Sequence, residues 1–307
     1  MASRSHKITR RRRPAAASRR SLRLGLWNSI QRANKRAQHR SNQRTWKRQG
    51  LTSIQAAIAD TYDEDYSLPT GQLVLRSFLA LLLLIPSAIS TLALFTITEH
   101  TGDSSFWINI AQSRPFLFFG VGCFLMLGWF YSRLFSSFFL YLYVLGHELT
   151  HVTFIYLCGG KVSGFNVTLE GGYVMTNKSN ILIALSPYFV PFWSCIVVAL
   201  SMCLRLFWNI PYQDDILYLI VGATWTFHLS YTVWMIPRDQ PDLKENGTFF
   251  SLVIIYLANV LLLATMLCIV PGGLSFQSYA VHWVSLFSHF MEFTEILVRK
   301  VALLTQG

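Results

Sequence analysis

The chain has 307 residues, 52% of them hydrophobic and only 13% charged, a balance far from that of an ordinary soluble domain. Its net charge of +11 is local, because 16 of the 26 Lys and Arg residues but none of the 15 acidic ones lie in the first 50 positions, leaving 10 basic against 15 acidic residues beyond. That distribution argues against a nucleic-acid-binding domain, and five cysteines placed singly in apolar stretches (Cys123, Cys158, Cys195, Cys203 and Cys268) argue against a disulfide framework or a Cys-ligated zinc site.

Residues 1–50 contain Arg10 to Arg13, Arg19, Arg20, Lys35 and Arg36, no acid and few large apolar groups, so a disordered basic tail is expected. A solvated tail that fixes topology is the plain reading. Contact with anionic lipid, or a transit peptide, is the functional one. Nucleic acid is disfavoured, because only Trp27 and Trp46 are available for stacking on bases. An acidic linker over 51–73, with Asp63, Glu64 and Asp65, precedes the first apolar run at Val74 to Ile97.

That run is long enough to cross a hydrocarbon core of about 30 Å. Further apolar runs are expected as membrane helices at Phe116 to Tyr131, Phe138 to Cys158, Ile181 to Trp208, Ile216 to Ile236 and Phe249 to Val270. Between the third and fourth, GGKVSGFNVTLEGGYVMTNK carries Gly pairs around an alternating, β-branched middle and predicts a β-hairpin. From Phe276 to Leu304, apolar residues alternate with His282, His289, Glu292 and Glu295, the pattern of an interfacial amphipathic helix. The fold class expected is thus an all-α membrane protein, a polytopic bundle of about six spans (74–272) with a short β-hairpin and a C-terminal amphipathic helix (273–307). The basic tail puts the N-terminus in the cytosol by the positive-inside rule.

The third apolar run contains Gly146, His147, Glu148, Leu149, Thr150 and His151. In this HExxH pattern positions i and i+4 share one helical face, so both imidazoles can reach one metal ion while Glu148 lies close enough to act as a base. Charged and polar groups in an apolar span cost at least about 2.5 kcal/mol and are rarely kept without a role, although hydrogen-bonded helix contacts are the plain alternative. Zn2+ is the expected ion, since hydrolysis needs a Lewis acid without redox chemistry.

Two histidines leave the site short of a third protein ligand, commonly a carboxylate. The candidates are Glu170, Asp214, Asp215, Asp239, Asp242, Glu245, Glu292 and Glu295. Asp242 is favoured, because QPDLKENG sits just before a membrane helix, where irregular backbone is tolerated if it lines a polar cavity. Asp239 ranks second. The alternative for either is a solvated carboxylate capping the next helix. His228, within FHLSYT, reads more readily as a satisfied core histidine than as a group of the site.

GHELTH in an apolar helix, then GGKVSGFNVTLEGG, then LSPYFVP, resembles the site-2 protease family of intramembrane zinc metalloproteases over roughly residues 138–260. The resemblance implies that His147 and His151 are zinc ligands, that Glu148 is the catalytic base, and that the β element helps to place an extended substrate, with Gly171 and Gly172 at turn or close-approach positions. The chain departs from the family's Asp-Gly pattern at the third ligand, since Asp242 is followed by Leu243 and a glycine comes only at 247. It also has no insert long enough for a PDZ or CBS module.

The function expected is hydrolysis of peptide bonds within or near transmembrane segments, with a membrane protein or peptide as substrate. A membrane zinc protease of the CAAX type would need Glu292 or Glu295 as ligand, and a non-catalytic scaffold or receptor retaining a metal site is the alternative from another class. An intact Glu148 speaks against the scaffold, because two histidines suffice for binding.

Overall fold

The computed structural model describes residues 68–97, 105–169, 171–238, 240–270 and 273–305. The basic tail and most of the 51–73 segment lie outside these residues, as does the expected placement of the N-terminus. In chain order the elements are α1 (Thr70–Phe95), α2 (Phe106–Gln112), α3 (Arg114–Ser132), α4 (Ser136–Leu157), β1 (Val162–Thr168) and β2 (Gly171–Thr176). They continue with α5 (Ile181–Leu185), a 3-10 turn at Ser186–Tyr188, α6 (Phe192–Phe207), α7 (Gln213–Met235), α8 (Pro241–Glu245), α9 (Thr248–Ile269) and α10 (Phe276–Thr305).

Among the described residues five helices, α1, α3, α4, α7 and α9, are long and apolar enough to cross a membrane, and all five leave large apolar side chains exposed. Such an area would be adhesive in water and is ordinary for a face turned to lipid. The first span starts at Thr70, so the end of the expected linker is already helical.

The run from Ile181 to Trp208 was expected as one straight span and is instead two pieces bent by 80°. Pro187 and Pro191 explain the break: neither has an N–H to donate, and the helix restarts only after Pro191. The exposed backbone is repaired from another helix, as Asn259 Nδ2 of α9 donates to the Tyr188 carbonyl at 3.1 Å. Counting the bent pair as one span gives six.

Helices α3 and α7 approach closely at two glycines. A Cβ on Gly122 would lie 2.0 Å from the Leu219 carbonyl oxygen, and one on Gly222 would lie 2.1 Å from that of Phe119. Small residues at both positions let the backbones touch where no hydrophobic effect drives association. Gly122→Ala or Gly222→Ala is expected to destabilise the detergent-solubilised protein by roughly 1–3 kcal/mol. Thermal unfolding checks this, with Gly120→Ala, whose added methyl meets nothing within 4 Å, as the neutral reference.

Helix α1 packs on α9 through Ala80, Phe250 and Val253, while Arg76 Nη1 donates to the Glu245 carbonyl at 2.8 Å. Helix α10 is fixed to α1 by polar contacts near its start: Tyr279 Oη to the Ser90 carbonyl (3.1 Å), Trp283 Nε1 to Ser90 Oγ (3.0 Å) and His282 Nε2 with Thr96 Oγ1 (2.8 Å). The expected hairpin is present as an antiparallel pair with Phe165 opposite Val174 and Val167 opposite Gly172. It lies against α4, the helix that carries HExxH.

Candidate metal centre

His147, Glu148 and His151 lie in the middle of α4, where close packing is possible because Gly146 admits Trp193 of α6: a Cβ there would lie 2.8 Å from Trp193 Nε1. The indole N–H in turn donates to the Leu142 carbonyl at 3.1 Å. One turn of helix brings the two imidazole centroids to 4.9 Å. The third partner comes from far along the chain. Asp242 sits in the first turn of α8, and its Oδ2 lies 3.4 Å from His147 Nε2 and 3.5 Å from His151 Nε2.

These three ligand atoms lie within 4.8 Å of one another and could hold one metal ion. Tetrahedral zinc with nitrogen and oxygen ligands about 2.0–2.1 Å away separates its ligand atoms by about 3.3–3.4 Å, and the two separations from Asp242 Oδ2, 3.4 and 3.5 Å, are compatible with such an ion. The tautomer also fits. His151 Nδ1 is 2.9 Å from the Ile183 carbonyl, which can only accept, so Nδ1 carries a proton; Nε2, when protonated, donates towards Asp242 and would give up that proton to a metal ion.

Asp242 is ionised in this setting. Burial alone pushes its carboxyl up, but hydrogen bonds and charge from His147 and His151 together outweigh that and hold it well below the usual carboxylate range. Glu245, one turn on, shifts the other way, raised by burial and then by the charge of Asp242. Asp242 therefore faces the histidine pair and does not cap α9. The link between α8 and α9 is Gly247 at φ +84°, a left-handed value suited to glycine.

Glu148 is buried, 6% exposed, on the same side as the hairpin. A Cβ on Gly172 would lie 2.5 Å from its Cγ and 2.7 Å from Oε1, so β2 passes the carboxylate in its present position because the residue there is glycine. The neighbouring Gly171 serves the turn instead, at φ +145°. Gly172→Ala is expected to push the Glu148 side chain aside without unfolding the bundle. If Glu148 takes part in chemistry at this site, that reaction should slow about a hundredfold, the scale of an ångström's misplacement, without loss of metal-binding capacity; elemental analysis beside a rate measurement checks both halves.

The remaining expectations divide clearly. Asp215 and Asp214 pair with Arg114 and Arg205, respectively, and Glu295 pairs with Arg299. None of these, nor Glu292, belongs to the cluster of metal-binding geometry found among the described residues. Asp239 and Glu170 lie outside the described residues. His228 is buried beside the site: its ring bonds to the Tyr188 backbone and interacts with His147, while its Nε2 has no hydrogen-bond partner among the described residues.

Tyr188, the Ile183 carbonyl and Asn259 were missed from the sequence. Tyr188 is fully buried, and its hydroxyl lies 3.2 Å from Asp242 Oδ2. The available signal was a tyrosine between two prolines, Pro187 and Pro191, inside an apolar run. Comparison of the chain with family models, curated proteins and solved structures gives no match.

Proposed function

We propose that the chain is a membrane-embedded zinc metalloprotease that cleaves peptide bonds within or near transmembrane segments, related in design to the site-2 proteases. The observation that carries this reading is the spacing of 3.4 and 3.5 Å from Asp242 Oδ2 to two histidine Nε2 atoms, with a buried glutamate between them in sequence. Two histidines and a carboxylate leave a fourth position for reaction, the arrangement of catalytic rather than structural zinc sites.

Zinc held there supplies a Lewis acid that polarises a carbonyl and makes water acidic enough to ionise near neutral pH. The chain's own residues do the rest. Glu148 accepts the proton of the attacking water at its carboxylate and returns it to the nitrogen of the departing amine. The apolar surroundings of α4 and α7 keep bulk water from the carboxylate and strengthen every charge interaction inside. β2 runs past Glu148, and a substrate segment unwound from its own helix can pair with the open edge of the hairpin, which holds extended peptides by main-chain hydrogen bonds.

Five or six apolar helices support a multi-pass location, and membrane-inserted substrates follow from it. A third ligand on α10, as a CAAX-type reading requires, has no support, because Glu295 is taken by Arg299 and Glu292 is outside the cluster. The test is reconstitution in liposomes with a panel of single-span peptides, read by mass spectrometry. Cleavage at one bond by the zinc-loaded protein, abolished by chelation, supports the proposal; a protein that holds stoichiometric zinc and cleaves none would instead be a metal-bearing scaffold.

A further inference from the structure

We propose that the broken span formed by α5 and the 3-10 turn is the supporting wall of the metal centre, and that Tyr188 is the residue that positions the third ligand, Asp242. The inference rests on the metal-centre reading above and adds to it a set of residues outside HExxH.

Two of the three ligand side chains are held by this one short segment. The Ile183 carbonyl orients the His151 ring at 2.9 Å, and five residues later the Tyr188 hydroxyl donates to Asp242 Oδ2 at 3.2 Å. The remaining ligand, His147, meets the Tyr188 ring edge to face, with centroids 5.2 Å apart and planes at 90°. A single tyrosine thus touches one ligand through its ring and another through its oxygen.

The helix that bears Asp242 is five residues long, too short to be rigid by itself, so its carboxylate needs an external fixture. A carboxylate oxygen has two lone pairs. With Tyr188 donating to one of those on Oδ2, the other stays directed at the two Nε2 atoms. Among the described residues the hydroxyl proton has one competing acceptor, Gln240 Oε1 at 3.4 Å, the longer of the two contacts. The fixture is itself braced: Tyr188 packs with Leu185, Leu243 and Ile255, and Asn259 clamps its carbonyl. The proline break therefore has a purpose, since a straight helix would leave no irregular turn to present a carbonyl to His151 and a phenol to Asp242.

Tyr188→Phe removes one oxygen and keeps the ring. The detergent-purified protein is titrated with Co2+, whose visible absorption reports a tetrahedral site, and affinity is measured by competition with a chelator. Wild type is expected to bind one Co2+, and Tyr188→Phe to bind it about 10- to 100-fold more weakly, the usual cost of losing a group that orients a metal ligand. The absorption band should shift, while the metal-free variant melts at the wild-type temperature. Asn259→Ala, which loosens the Tyr188 backbone but keeps its hydroxyl, should give a smaller loss in the same direction, and carries the test if Tyr188→Phe does not fold. Wild-type affinity and spectrum in Tyr188→Phe, or a loss of affinity matched by a lower melting temperature without metal, would overturn the positioning role. A wild type that binds no Co2+ would overturn the metal centre itself.

Discussion

Glu148→Gln is expected to keep its metal and lose its activity. The substitution preserves the size of the side chain and its fit against Gly172, and it leaves both histidines and Asp242 untouched. What disappears is the ability to take a proton. A positioned general base contributes about 10²–10⁴ in rate, and in the proposed mechanism Glu148 both receives and returns the proton, so the loss should lie at the upper end of that range. Single-turnover cleavage of a reconstituted single-span peptide measures the rate, and elemental mass spectrometry confirms that zinc is still bound. Retained cleavage with zinc in place would show that the proton is carried by another group.

Asp242→Ala should produce the opposite pattern, with the fold kept and the metal lost. Apparent zinc binding of about 10–16 kcal/mol at structural sites with four protein ligands averages roughly 2.5–4 kcal/mol per ligand, so removing one of the three ligands proposed here should cost about 70-fold to a thousandfold in affinity. The loss also removes the only negative charge facing His147 and His151 in the cluster. Dialysis against a weak chelator should then empty Asp242→Ala and His147→Ala while wild type and Asp239→Ala retain about one zinc per chain. Zinc kept in Asp242→Ala and lost in Asp239→Ala would transfer the ligand role to Asp239.

The parts of this protein that could be read from sequence are those in which local spacing decides the outcome. His147 and His151 share a face because four residues make about one helical turn, and that remains true wherever α4 is placed. The glycine pair at 171 and 172 marked a turn or a close approach, and the two residues divide these tasks between them. Asp242 could be favoured from its position before an apolar helix, although its distance to the histidines depends on packing between elements far apart in the chain. Tyr188 was invisible for a stronger reason. An apolar average over Ile181 to Trp208 does not register where two prolines interrupt hydrogen bonding, and only that interruption turns a core tyrosine toward a carboxylate.

The centre is assembled from two parts of the chain that are made at different times. His147 and His151 enter with α4, whereas Asp242 lies on α8, beyond the bent span and α7. During synthesis the histidine pair stands without its third partner until the chain beyond α7 has been made, so the proposed centre would be completed only late, when Asp242 arrives. A metal ion held by these three residues would tie α4 to α8 like a rivet through the bundle, so that its removal would end the proposed hydrolysis and free the short helix α8 while the long apolar helices stay packed.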